Sequence, residues 1–196
     1  MMIIGDIHGK YEEYLSKIQS YDGPSIQIGD FGIGLRATPP DLFDQMKEYD
    51  ARFFRGNHDN PKFCKMVPQY IPDGHVEGDM MMVGGAFSID WMYRVIGHSW
   101  WLDEELSIPE FEEVTKTFET TKPKIMLTHD CPVDVIPYIH NHNSLFPSSR
   151  TQLAFQAMWE LYRPQLWIFG HHHKSFDMTL DGTRFICLNE LETLFL

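Results

Sequence analysis

The sequence predicts a layered α/β protein with a two-sheet core and helices outside, and three observations carry that reading. Short apolar runs alternate with helical periodicities in the first part of the chain. Antiparallel strands close it, around the turn dipeptide Asp181-Gly182. Carboxylates, amides and imidazoles fall at the carboxyl ends of five predicted strands, the edge where open α/β sheets bind ligands.

Each element follows in order. Residues 1–4 are apolar and end in Gly5-Asp6, which reads as a buried strand delivering a loop. Tyr11, Tyr14, Leu15 and Ile18 then recur at helical spacing. A second strand over residues 25–28 ends in Gly29-Asp30, and Asp41 is the expected N-cap of a helix carrying Leu42, Phe43 and Met46. A third strand, 51–54, runs into Gly56-Asn57-His58-Asp59, after which Asn60 caps and Pro61 takes the first helical position. Residues 69–90 read as turns and short strands, with 80–83 the strongest. Residues 91–106 hold Trp91, Tyr93, Trp100 and Trp101 beside acids, without clean periodicity. Ser107 and Glu110 make a capping box for a helix reaching Phe118. A strand over 125–127 ends at Thr128-His129, and residues 130–147 read as a long loop punctuated by Pro132, Pro137, Asn141 and Asn143. Ser148 or Ser149 starts a helix through Leu161; a strand over 166–169 ends at Gly170-His171; strands 176–180 and 183–188 form the closing hairpin.

Length and composition bound the rest. A chain of 196 residues, 43% hydrophobic, can bury a real core as one domain, here with an inserted aromatic segment at about 91–106. Sixteen basic against 28 acidic residues leave a net charge of −12, which disfavours nonspecific binding to nucleic acid. Phosphorylated substrates stay open, because bound cations would neutralise several of the acids. Cys64, Cys131 and Cys187 are odd in number and far apart, so neither a disulfide framework nor a CxxC pair is expected, and a reduced, cytoplasmic setting fits. The start of the chain shows no basic region followed by a long apolar stretch, and no run approaches a membrane span, so neither secretion nor a membrane partner is expected.

The chemistry resides in five segments: Gly5-Asp6-Ile7-His8-Gly9, Gly29-Asp30, Gly56-Asn57-His58-Asp59, Thr128-His129 and Gly170-His171-His172-His173. A lone Gly-Asp is usually a turn and a lone Thr-His usually a satisfied loop histidine. Five in order, each on a strand end, are hard to explain as turns. Oxygen and imidazole donors without thiolates suit manganese, iron or zinc at an open site, not a closed structural zinc.

The ordered set resembles the calcineurin-like metallophosphoesterases, whose pattern is D-x-H, G-D, G-N-H-[DE], H and G-H-x-H, and it spans Asp6 to His173. That resemblance implies a β-sandwich flanked by helices, in four layers α/β/β/α. It implies two divalent cations, manganese foremost with iron and zinc as alternatives. Asp6, His8 and His173 would hold the first, Asn57, His129 and His171 the second, and Asp30 would bridge both. A water between the two ions would be activated for in-line attack. His58 would be the general acid, with Asp59 orienting it and raising its pKa. His172, at the variable position, is expected to point elsewhere, and His75, His140 and His142 read as loop residues.

The second motif departs from the phosphatase pattern. It reads Gly29-Asp30-Phe31-Gly32 and lacks the phosphate-clamping arginine of the protein phosphatases. The stretch from Gly84 to Asp90, followed by Tyr93-Arg94 and Trp100-Trp101, resembles small bacterial and phage members instead. A cationic clamp is then expected elsewhere. Arg94 leads, with Tyr93, His98 and Trp100 as substrate-side companions, and Arg36 and Arg150 rank behind; the bland alternative has the tryptophans filling core beneath a loop. The activity implied is hydrolysis of a phosphomonoester or phosphodiester on a small molecule, nucleotide or phosphoprotein. A nuclease is the first rival, disfavoured by the acidic balance and the lack of a basic stretch. A non-catalytic scaffold is the second, disfavoured because no expected ligand position is missing.

Overall fold

The computed structural model describes residues 1–140 and 148–196; Asn141, His142 and Asn143 lie outside the described residues. Strands β1 (Met2–Ile4), β2 (Ser25–Ile28) and β3 (Ala51–Phe54) run parallel, with β10 (Thr193–Phe195) antiparallel on the outer edge of β1. The second sheet takes β4 (His75–Glu77), β5 (Met80–Val83), β6 (Ile125–Thr128), β7 (Leu166–Phe169), β8 (Phe176–Leu180) and β9 (Thr183–Cys187) in the order β4-β5-β6-β7-β9-β8. Its central strands β5, β6, β7 and β9 are parallel.

Strands buried on both faces read as continuous apolar runs, and their period of two sorts the side chains into layers. Ile3, Ile26, Ile28 and Phe54 of the first sheet meet Met82, Leu127, Ile168 and Ile186 of the second in the inter-sheet core. Their neighbours Met2, Ile4 and Phe53 face outward to α1 (Tyr11–Gln19), α2 (Leu42–Glu48) and α3 (Pro61–Cys64), through Tyr14, Ile18, Leu42 and Met46. On the far side Met126, Trp167, Phe169 and Phe185 pack on α4 (Ile108–Thr121), α5 (Ile136–Ile139) and α6 (Arg150–Leu161). The result is the expected α/β/β/α sandwich.

The capping reasoning places most helix starts. Asn60 accepts from the amides of Lys62 and Phe63, and Ser107 with Glu110 and Ser149 with Gln152 close capping boxes. Asp41 sits at its N-cap position but makes no cap bond, because its carboxylate accepts from the Gln45 side chain instead (2.8 Å). Two elements differ from expectation. The segment after His129 is not all loop: a 3-10 turn, Val133–Val135, leads into α5 and buries Val135, Ile136 and Ile139, with Pro137 tolerated in the first turn. Strand β10 has only three residues, too few to show a period, and exists through its pairing with β1. Among the described residues no helix is long and apolar enough to cross a membrane.

Candidate metal centre

The parallel strands of both sheets end on one side of the sandwich. Asp6 follows β1, Asp30 follows β2, Asn57 and His58 follow β3, His129 follows β6, and His171 and His173 follow β7. The two sheet edges are close enough there for side chains of one to touch the other: Asp30 Oδ1 lies 3.3 Å from His129 Nε2, and the His171 amide donates to Asp6. Such approach needs missing side chains. A Cβ on Gly56 would collide with Asp30, and one on Gly170 with Asp6. It also needs strained backbone, for His8, Asp30, His171 and His173 all adopt positive φ, between 48° and 66°. Each such residue costs on the order of 1–3 kcal/mol, and four at one locus mark a site at which strain is retained for function.

Two donor groups converge, and Asp30 belongs to both. Asp30, His129 and His171 form one; Asp6, His8, Asp30 and His173 form the other, with the donor atoms of each group within 4.8 Å of one another. His129 Nδ1 donates to the Ile28 carbonyl (2.9 Å), which leaves the Nε2 end facing Asn57 Oδ1 at 3.1 Å as well as Asp30. Burial alone would push His129 down, yet Asp30 and Asp6 push its pKa up to about 10. Burial drives His171 the other way, down to about 3 against the pull of Asp130, so its imidazole is neutral and able to ligate. Burial raises Asp30, but His129, His58 and His8 outweigh it and hold the carboxylate well below its usual range. In the second group His8 Nε2 and His173 Nε2 are 2.8 Å apart, and His173 Nε2 is 3.2 Å from Asp6 Oδ2. Nitrogen and oxygen donors sharing one carboxylate, with no thiolate, fit divalent metals of the manganese, iron and zinc type.

Asp59 is a correction. Its fully buried carboxylate accepts from the amides of Phe31, Gly32, Ile33 and Gly56, at 2.6–3.0 Å. Both oxygens are spent on holding the Asp30 loop against the Asn57 turn, so Asp59 does not orient His58. The carboxylate nearest His58 is Asp30, 4.0 Å from Nε2, and the ring's close partner is Arg94, whose Nη2 approaches Nε2 at 2.7 Å. The expected upward pKa shift is reversed: burial lowers His58, Asp30 opposes, and Arg94 lowers it further.

Of the substrate-side candidates, Arg94 is the one that contacts a site residue, braced by Asp90 (2.6 Å) and the Ser99 carbonyl (3.2 Å). Tyr93 is 87% exposed, because the 3-10 turn Trp91–Tyr93 directs it outward, and His98 is exposed too. Trp100 packs on Trp91, with ring centres 5.4 Å apart, while Trp101 is buried as core. Arg36 is exposed, and Arg150 pairs with Glu105 at 3.7 Å.

Sequence reasoning missed several neighbours of the site. Glu190 pairs with Lys10 and lies 3.8 Å from His8 and 3.7 Å from His173. Asp130 holds His172 (3.0 Å), and His140, behind it, contacts His172 at 3.1 Å, so two histidines read as peripheral fasten the loop that carries His171 and His173. Asp130 directly follows a motif histidine, which is a signal of sorts; Glu190 has none, since only chain packing brings it there.

A sequence model of the Metallophos family, described as calcineurin-like phosphoesterase, matches residues 1–175. No curated protein matches the chain. Among solved structures, a putative 5'-nucleotidase from Staphylococcus aureus in complex with alpha-ketoglutarate is 12% identical at a TM-score of 0.55, over 96% of this chain and 48% of its own. The chain thus spans about half the length of that protein. GAP50, the anchor in the inner membrane complex of Plasmodium, is 10% identical at a TM-score of 0.51, over 96% of this chain and 71% of its own. At such identities these likenesses show the fold.

Proposed function

This chain belongs to the calcineurin-like phosphoesterase family, and on that footing we propose that it hydrolyses a phosphate ester at a dinuclear metal centre. The observation that carries the reading is the membership of Asp30 in both donor groups. Asp6, His8 and His173 would hold one ion, Asn57, His129 and His171 the other, and Asp30 both. When bound, a pair of divalent cations, manganese first among candidates, lowers the pKa of water and offsets charge on phosphoryl oxygens.

The chain's own residues do the rest. The Ile28 carbonyl fixes the His129 tautomer, and Asp59 fixes the loop that presents Asp30. Arg94 supplies the guanidinium that the second motif lacks, poised at the mouth of the site against His58. His58, part-buried at the mouth, delivers a proton to the departing oxygen; its lowered pKa makes it a stronger acid with a smaller protonated fraction at neutral pH. Substrates in scope are phosphomonoesters and phosphodiesters of small molecules, nucleotides or phosphoproteins.

The test is hydrolysis of an aryl phosphate and an aryl phosphodiester by chain stripped with chelator and then titrated with manganese. Activity is expected to rise with two bound ions per chain. Full activity without metal, or saturation at one ion, would sink the dinuclear reading.

A further inference from the structure

Asparagine is an ambiguous ligand. Its carboxamide has an oxygen at one end and an NH₂ at the other, nearly equal in shape, and only the oxygen can bind a cation. Asn57 is 2% exposed, so water cannot settle which end faces the centre. Its Nδ2 donates to Ser88 Oγ at 2.9 Å. The Ser88 hydroxyl in turn donates to Glu104 Oε2 at 2.6 Å, and the Ser88 amide donates to Glu104 Oε1 at 2.8 Å. Ser88 and Glu104 are both buried.

We propose that Glu104 is a positioning residue which, through Ser88, sets the Asn57 carboxamide with its oxygen toward the metal centre. This rests on the dinuclear reading above. A carboxylate can only accept. Both Glu104 oxygens are occupied by Ser88 donors, so the hydroxyl proton is drawn to Glu104 and the hydroxyl lone pairs face Asn57. The amide must then present its NH₂ to Ser88 and its oxygen to His129 Nε2, as found at 3.1 Å. The anchor is built from the same strand end that carries Asn57. Arg55, just before the Gly56-Asn57 turn, donates to the carbonyls of Asp103 (3.0 Å) and Glu104 (2.6 Å), and its Nε donates to Asp73 (3.1 Å).

Glu104→Gln tests this with almost no change of shape. The glutamine oxygen takes the Ser88 amide, its NH₂ then donates to the hydroxyl, and the hydroxyl proton turns to Asn57. The carboxamide flips and offers its NH₂ to the centre. Manganese titration by calorimetry of the chelator-stripped chain should show two ions in the wild type. In Glu104→Gln the ion beside His129 should bind about ten- to a hundredfold more weakly, the usual cost of a lost outer partner. A carboxylate has an oxygen at each end, so adding Asn57→Asp to Glu104→Gln should restore that ion. Asn57→Asp alone should weaken it, since Ser88 then has no proton to offer. A role in packing alone predicts no such reciprocal rescue. If Glu104→Gln does not fold, Ser88→Ala should still weaken the same ion severalfold. Two ions of unchanged affinity in Glu104→Gln or in Ser88→Ala, or no rescue in the double variant, overturn the proposal alone. A wild-type chain that takes a single ion overturns the dinuclear reading and this proposal with it.

Discussion

The two donor groups around Asp30 are built differently. Asn57 and His129 are at most 2% exposed and His171 is half-buried, and the outer partners of the first two are themselves interior: the Ile28 carbonyl, and Ser88 backed by Glu104. In the other group Asp6 is buried, but His8 and His173 have side chains 16% and 44% exposed, and their outer partner, Glu190, is half-exposed beside Lys10. A ligand set locked by buried bonds loses little freedom when an ion arrives, whereas an exposed one must first be ordered. The difference teaches that a symmetric-looking motif list can encode one mostly interior donor group and one that reaches the surface, and it predicts a firmly held ion at the first and an exchangeable one at the second.

Asp30→Asn should break the comparison altogether, since it is the shared member. Both ions should weaken and phosphoesterase activity should fall by more than the about hundredfold typical of losing one outer partner. Retention of both ions, measured by elemental analysis, would remove Asp30 from the bridge. Next in size is the contrast between His129→Ala and His173→Ala. The first should lose the firm ion and stay inactive at any manganese concentration, while the second should regain activity in excess manganese. Equal responses would mean that burial does not set affinity here.

His58→Ala and Arg94→Ala fall outside both groups and sharpen the comparison from the other side. Metal content should hold in each. His58→Ala should slow poor leaving groups by about 10²-fold and activated aryl esters less; Arg94→Ala should lower kcat/KM by severalfold to about 10²-fold. Ion loss in either variant would move that residue into the metal shell. The smallest expected effect is a pH trend in the chelated protein. His129 is raised from 6.5 to about 10, so the stability it contributes is full below about pH 6.5 and is lost as pH rises through about 10. The Tm of chelated chain should decline over that window, and manganese should flatten the decline. A flat Tm without metal would mean that His129 is already neutral.

Much of this was legible in the residue order. Apolar runs of three to four residues buried on both faces, capping boxes and a turn dipeptide are local signals, and they placed nearly every strand and helix start. The ligand-type residues were legible because each sits at a strand end beside a backbone that must turn. Side-chain direction was not. Asp59 is adjacent to His58 yet faces three amides of the Asp30 loop and one of its own turn, and Tyr93 is adjacent to Arg94 yet faces solvent.

By itself the sequence determined the layers, the strand ends and the residue types that collect there, because period, capping and turn chemistry act over a few neighbouring residues. Only the tertiary structure decided that Glu190 approaches His8 and His173, and that Glu104 backs Asn57 through Ser88. Those contacts join residues up to 182 positions apart across two sheets, and a hydrogen bond's direction depends on where the packed backbone leaves its donors and acceptors.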